Sequence, residues 1–156
     1  MFRRLALAAS VATLALPTLA HSESHAEMDP NVSARMALMQ LYAYNLGVLG
    51  GMAQGRMEYD ADLAQSAATS LYHLSRSGSG RMWPEGTDNF AMDNTRALPA
   101  IWENMADFGA RFGAMQEATA AMNDAAGNGL EALQAALGPV GMSCGGCHRT
   151  YRQSDD

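Results

Sequence analysis

A pentapeptide near the C-terminus, Cys144-Gly145-Gly146-Cys147-His148, contains the only two cysteines of this 156-residue chain. Two cysteines three residues apart share one face of a helix, and a histidine four residues after the first cysteine projects from that same face. At this spacing two thioether bonds can hold a haem c while an imidazole binds its iron. We therefore predict one covalent haem c per chain, attached through Cys144 and Cys147, with His148 as the proximal iron ligand.

Three other uses of these residues stay open at this point: a thioredoxin-like redox pair, a local disulfide and a zinc site. A redox CxxC needs a βαβ unit, and no strand pattern surrounds this one. A disulfide between these positions has poor geometry on a helix. Zinc needs four ligands, so it would have to recruit one of His21, His25 and His73.

The N-terminus has the three parts of a secretory signal. Arg3 and Arg4 form a short positive region, residues 5–16 are apolar, and Thr18-Leu19-Ala20 is a small-residue cleavage site. The apolar run is too short for a stable bilayer anchor. We expect a signal peptide over residues 1–20, cleavage after Ala20, a mature protein of residues 21–156 in the periplasm, and no stable membrane insertion.

The charge balance argues against a nucleic-acid partner. The whole chain has a net charge of −6, and loss of Arg3 and Arg4 would leave 8 basic against 16 acidic residues, a net charge of −8. Phosphate backbones repel such a surface. We expect redox partner proteins that present a basic patch instead.

Four stretches with helical periodicity predict a single all-α domain. They cover residues 31–55, 60–76, 99–126 and 130–151. Asp29-Pro30 is a plausible N-cap and first-turn proline for the first stretch, whereas Gly138-Pro139 should kink or restart the fourth. The predicted fold is an antiparallel up-down-up-down four-helix bundle.

The two cysteines belong to the apolar seam of the fourth stretch. That seam repeats in steps of three and four: Leu133, Leu137, Val140, Cys144 and Cys147. A haem attached on this seam must enter the core of the bundle, near the C-terminal end of helix four. The start of helix one lies at the same end, so Met39 and His148 can face each other across one haem.

The pattern resembles the class II cytochromes c, the group of cytochrome c′ and cytochrome c-556. Four elements carry the resemblance: Arg35 with Met39 four residues later, Tyr59-Asp60, Pro99-x-Ile101-Trp102, and Val140-Gly141-x-x-Cys144-x-x-Cys147-His148-x-x-Tyr151-Arg152. They span nearly all of the mature chain. The resemblance implies a haem protein that is not an enzyme, with a possible homodimer through helices one and two.

Within that group, the residue at position 39 faces the distal side of the iron, and a methionine there is compatible with either of two functions. In the c-556 type a methionine there binds iron and the protein transfers electrons. In the c′ type the distal residue only covers the metal, and the iron binds nitric oxide or carbon monoxide. We predict an electron carrier with Met39 as the distal iron ligand and Met36 as its competitor; the gas-binding c′ protein is the alternative.

Three arginines lie at motif positions close to the expected haem: Arg35, Arg96 and Arg152. A guanidinium group can bind a propionate carboxylate through two parallel hydrogen bonds. We therefore predict haem contacts for all three. The long connection over residues 77–98 should cover one end of the bundle or form a wall of the haem site.

Overall fold

The computed structural model describes residues 28–154, which form four long helices and two short ones. The α-helices are α1 (Pro30–Ala53), α2 (Ala61–Ser75), α3 (Ala100–Glu103), α4 (Met105–Ala125) and α5 (Leu130–Tyr151), and a 3₁₀-helix covers Ser79–Met82. Both α1 and α4 pack against α2 and α5. The four long helices thus form the predicted four-helix bundle, and within residues 28–154 none is long and apolar enough to cross a membrane. The predicted signal peptide, residues 1–20, lies outside the described residues.

Acidic caps determine where the first two helices begin. The Asp29 carboxylate accepts hydrogen bonds from the backbone N–H groups of Asn31 at 2.8 Å and Val32 at 3.2 Å. Asp60 accepts one from Leu63 N–H at 2.8 Å. These oxygens satisfy N–H groups that have no partner inside the helix. The cap predicted at Asp29-Pro30 is therefore confirmed.

The third predicted helix is interrupted at Asn104. This residue has φ −140° and ψ 60°, outside the helical region, so it ends α3. Its side-chain oxygen accepts a hydrogen bond from Asp107 N–H at 3.2 Å and caps α4. The prediction of one helix over 99–126 is wrong at this point because a strong N-cap residue stands inside an otherwise continuous apolar pattern.

The fourth predicted helix continues through Pro139 as part of α5, without a restart. Proline removes the N–H that would bond the carbonyl of Ala135, four residues earlier. Both Pro139 and Ala135 are exposed, so water can hydrogen-bond to that carbonyl. The helix therefore reaches the pentapeptide unbroken.

Two apolar clusters meet at the pentapeptide. The larger one joins all four long helices, through residues that include Leu49, Leu71, Met122 and Leu133. The smaller one consists of Ala97, Ile101, Phe108 and Tyr151. Cys144 packs against the larger cluster and Cys147 against the smaller one. The two cysteines thus lie at the boundary between the two parts of the core.

One buried side chain, Arg35, holds the connection between α2 and α3. It is only 3% exposed. Its guanidinium group donates hydrogen bonds to the hydroxyl oxygens of Thr87 and Thr95, both at 2.8 Å, and to the carbonyls of Met82 and Thr87. A buried cation is tolerated where its donors are satisfied in this way. The connection is therefore fixed over one end of the bundle.

We expect Arg35→Met to lower the free energy of unfolding by about 2–4 kcal/mol, because the threonine and carbonyl oxygens lose their donors while they stay buried. Denaturant unfolding of the haem-loaded protein measures this change. The control is Arg56→Met, at an exposed position in the turn after α1. If the two variants were equally stable, Arg35 would not be the group that holds the connection.

Candidate haem site

A cleft with two adjoining lobes lies beside the pentapeptide. The lobes have cavity volumes of about 140 Å³ and about 280 Å³, and both open to solvent. Four residues line both lobes: Met39 from α1, Phe112 from α4, and Cys147 and His148 from α5. The structure thus brings the two predicted iron ligands to one cleft.

The smaller lobe is largely apolar. Its lining includes Ala43, Leu46, Phe112 and Met115. Tyr42 also lines it, but the Tyr42 hydroxyl donates to the carbonyl of Leu74 at 3.1 Å. Burial, and to a lesser degree the proximity of Cys144, raise the pKa of Tyr42 to about 12. Tyr42 therefore contributes a neutral aromatic wall.

Both cysteines are half-buried free thiols in this cleft, with no disulfide between them. Burial raises the pKa of Cys144, and it raises the pKa of Cys147 to about 11. Both thiols therefore stay neutral at pH 7. Neutral sulfur in an apolar cleft suits a thioether bond better than a zinc thiolate, and residues 28–154 contain no cluster of three or more His, Cys, Asp or Glu that could hold a metal ion.

His148 lies on α5, one turn after Cys144. The residue as a whole is exposed to solvent, yet the protein atoms around its ring lower the pKa of His148 by desolvation, and the positive charge of Arg152 lowers it further. Both effects favour the neutral imidazole, the form that binds a metal. This state fits the predicted role of His148 as the proximal ligand.

Met39 is the methionine that the fold brings to both lobes. Its side chain is half-buried and packs against the larger apolar cluster. Met36, one turn earlier, is 39% exposed and lines only the larger lobe. The arrangement favours Met39 over Met36 at the distal position. Binding of the iron by the Met39 sulfur stays a prediction, as does the alternative in which Met39 only covers the iron.

The three predicted arginines all line the larger lobe. The four terminal N–H groups of Arg35 are committed to the connection between α2 and α3. Arg96 donates to the carbonyl of Gln153 at 2.8 Å, and a backbone bridge joins Ala97 to Arg152. Their position at the haem cleft agrees with the prediction, whereas direct haem contact stays a prediction for each of them.

Arg111 on α4 also lines the cleft, and it is not among the residues predicted from the sequence. Its Nη1 donates to the carbonyl of Gly146, between the two cysteines, at 3.3 Å. Its Nε donates to Asp107, four residues earlier, at 3.1 Å. An Asp and an Arg four residues apart on a helix indicate an ion pair. The contact with Gly146 depends on how α4 packs against α5, so the sequence carries no signal of it.

These observations together test whether the cleft fits a haem c. Two neutral thiols, a neutral imidazole and a thioether converge on a cavity with mostly apolar walls. One arginine lines the smaller lobe and three line the larger one, where they could meet propionates. Covalent attachment of a c-type haem uses two cysteines followed by a histidine, and its iron is held by that histidine alone or together with a methionine. The residues present therefore fit the group.

Comparison with known proteins agrees with the site. The family model for cytochrome C′ matches residues 30–152. The chain is 41% identical to cytochrome c-554 from Cereibacter sphaeroides over 150 residues, which cover 96% of this chain and 97% of that protein. It is 36% identical to cytochrome c′ from the same bacterium over 150 residues, with the same coverage of both proteins.

A solved structure of cytochrome c′ from Rhodobacter sphaeroides matches the fold with a TM-score of 0.78. It is 37% identical, and the match covers 80% of this chain and 95% of that one. Proteins of this family carry covalently bound haem c and are electron carriers or gas-binding proteins, not enzymes. The predicted cofactor, four-helix bundle and class of protein are thus confirmed. The chain belongs to the cytochrome c′ family, and haem c is its cofactor.

Proposed function

We propose that this chain binds a small, nearly apolar gas, nitric oxide or carbon monoxide, next to Met39 on the distal side of its haem. The observation that carries the proposal is the largely apolar lobe beside Met39, since the polarity and steric access of the distal pocket decide what a haem protein binds. Two solved structures of single-residue mutants of cytochrome c′ from Alcaligenes xylosoxidans are nitric oxide complexes, each 30% identical to this chain with a TM-score of 0.69. They support the same assignment.

In this proposal Cys144 and Cys147 hold the porphyrin by thioethers, and His148 binds the iron. When bound, the haem supplies an iron that exchanges one electron and can accept a gas molecule. Trp83, Phe108 and Phe112 form an aromatic wall whose neighbouring rings lie 4.8 Å and 5.1 Å apart. This wall keeps water from one side of the cleft, and Met39 limits access to the other.

Electron transfer is the second candidate function. It is favoured by the thioether of Met39, which lines both lobes together with His148. A methionine ligand would close the sixth position and raise the potential. The relatives named cytochrome c-554 and cytochrome c-556 are 41% and 31% identical to this chain. In that case the partners would be redox proteins.

Absorption and magnetic measurements on the purified holoprotein test the choice directly. We expect high-spin iron in both oxidation states, because Met39 covers the distal side without binding. Nitric oxide and carbon monoxide should then bind the reduced protein stoichiometrically. A protein that is low-spin in both states and does not bind carbon monoxide would instead be the electron carrier.

The proposal also places the protein in the periplasm. Support comes from the basic start, the apolar run over residues 5–16 and the cleavage site that ends at Ala20. Residues 21–156 would then form the working protein.

A homodimer through α1 and α2 is a further part of the proposal. Two large apolar side chains on α1 lie in solvent, Leu41 at 48% and Tyr44 at 71% exposure. They are three residues apart, so they share one face of the helix. One solved cytochrome c′, 28% identical to this chain, shows ligand-controlled dissociation of its dimer. The exposed face of α1 is a suitable surface for such a contact.

A further inference from the structure

Three polar side chains on α4 and α5 converge on the segment that attaches the haem. The Tyr151 hydroxyl donates to Oδ2 of Asp107 at 2.6 Å, and Nε of Arg111 donates to the same oxygen at 3.1 Å. Arg111 then reaches the carbonyl of Gly146 at 3.3 Å. Asp107 thus orients a guanidinium group that contacts the backbone between Cys144 and Cys147.

This pair brings charge to a mostly apolar site. Among the described residues that line the smaller lobe, Arg111 is the only arginine. Asp107 and Arg111 are each 38% exposed, so water screens them only in part.

We propose that the charge of Arg111, held against Gly146 by the positioning residue Asp107, tunes the reduction potential of the haem. Reduction adds one electron to the site, so a nearby positive charge favours the reduced state and a nearby negative charge opposes it. Arg111 therefore raises the reduction potential of the haem, and Asp107 lowers it. The proposal rests on the haem c and not on the choice between gas binding and electron transfer.

Two variants that each remove one charge test the direction in which each side chain shifts the potential. At a fixed solution potential, Arg111→Gln should lower the ratio of reduced to oxidised protein by about three- to tenfold, which is a potential about 30–60 mV lower. Asp107→Asn should raise the ratio by a similar factor. If the pair were only structural, both variants would open the site to water and shift the potential in the same direction, which would overturn the proposal.

Two further variants separate charge from packing. Arg111→Lys keeps the positive charge, so its potential should stay close to that of the parent protein. Tyr151→Phe removes a hydrogen bond from Asp107 without a change of charge, and it should also leave the potential nearly unchanged. Potentials as low in Arg111→Lys as in Arg111→Gln would contradict the proposal.

A double variant keeps the test valid where a single one folds poorly. Asp107→Asn combined with Arg111→Gln removes both charges, so the potential should return towards the parent value. Asp124→Asn and Arg56→Gln are the matched controls, since Asp124 is near the far end of α4 and Arg56 follows α1. Spectroelectrochemical titration of the holoproteins at low salt measures the reduction potentials of all these variants. Equal shifts in the control and test variants would refute a local effect of the pair.

Discussion

Replacement of both Cys144 and Cys147 by serine should abolish every trace of haem that survives acidic extraction. Serine has no sulfur to form a thioether, and the two cysteines are the only ones in the chain. Without the porphyrin the cleft between the two apolar clusters stays unfilled, and a cavity of the size of one large side chain in a core costs about 2–5 kcal/mol. We therefore also expect the double variant to unfold without cooperativity. Denaturing electrophoresis stained for haem, with circular dichroism, measures both effects.

The single variants Cys144→Ser and Cys147→Ser are the matched controls. Each retains one thioether, so haem should remain covalent, and its absorption band should shift to longer wavelength because one vinyl group stays conjugated. Covalent haem in the double variant would show that the pentapeptide is not the attachment site. A cooperatively folded double variant would show that the haem is not part of the core.

The second large effect is expected at Met39, where two substitutions separate the proposed functions. If Met39 is a lid, Met39→Ala should speed the association of nitric oxide with the reduced protein by about tenfold or more, a barrier change of about 1.4 kcal/mol. Met39→Leu roughly conserves volume and should change stability by less than about 1.5 kcal/mol. Its association rate should stay near that of the parent protein. Stopped-flow mixing with nitric oxide measures these rates.

If Met39 is an iron ligand, the expected spin states and potentials differ from those of a lid. The parent protein would be low-spin, and both variants would become high-spin with a lower potential, because both remove the thioether. That result would move the assignment to the electron carrier. A protein that stays low-spin in both variants would use Met36 or another residue as its ligand.

The haem site was predictable from sequence to the extent that it depends on local spacing. Cys144, Cys147 and His148 lie within one turn and a half of a helix, so their common face follows from helix geometry alone. Met39 required a further step, because its partner lies on another helix. The four-helix topology places the start of α1 beside the end of α5, and Met39 could be predicted to face His148 for this reason.

Two local features of the helices bear on the prediction: one continuous third helix was wrong, and of the kink or restart expected at Pro139 only the restart is contradicted. Asn104 interrupts an apolar pattern that by itself predicts one helix, and α5 continues through Pro139 although proline disfavours it. The periodicity of apolar residues indicates which face of a helix is buried. Whether the helix breaks or continues at a given residue depends on hydrogen bonds, from a capping side chain or from water to an exposed carbonyl. The pattern of apolar residues therefore does not contain this information.

Arg35 shows how tertiary structure gives a motif residue contacts that its spacing does not reveal. Its place one turn before Met39 predicted a haem contact, and it does line the cleft. Its terminal N–H groups nevertheless bind the connection between α2 and α3, through Thr87 and Thr95. These partners are about fifty to sixty residues away in sequence, so no spacing rule finds them.

The sequence alone determined the cofactor and the four-helix architecture and predicted the attachment residues, because each depends on spacings within a helix or on the apolar pattern along it. Only the tertiary structure decided that Met39 instead of Met36 reaches both lobes of the cleft, and that Asp107 and Arg111 meet the carbonyl of Gly146. Those contacts join side chains on different helices, and the relative rotation of packed helices determines them. Interhelical packing is a property of the whole core, and no single segment of the chain encodes it.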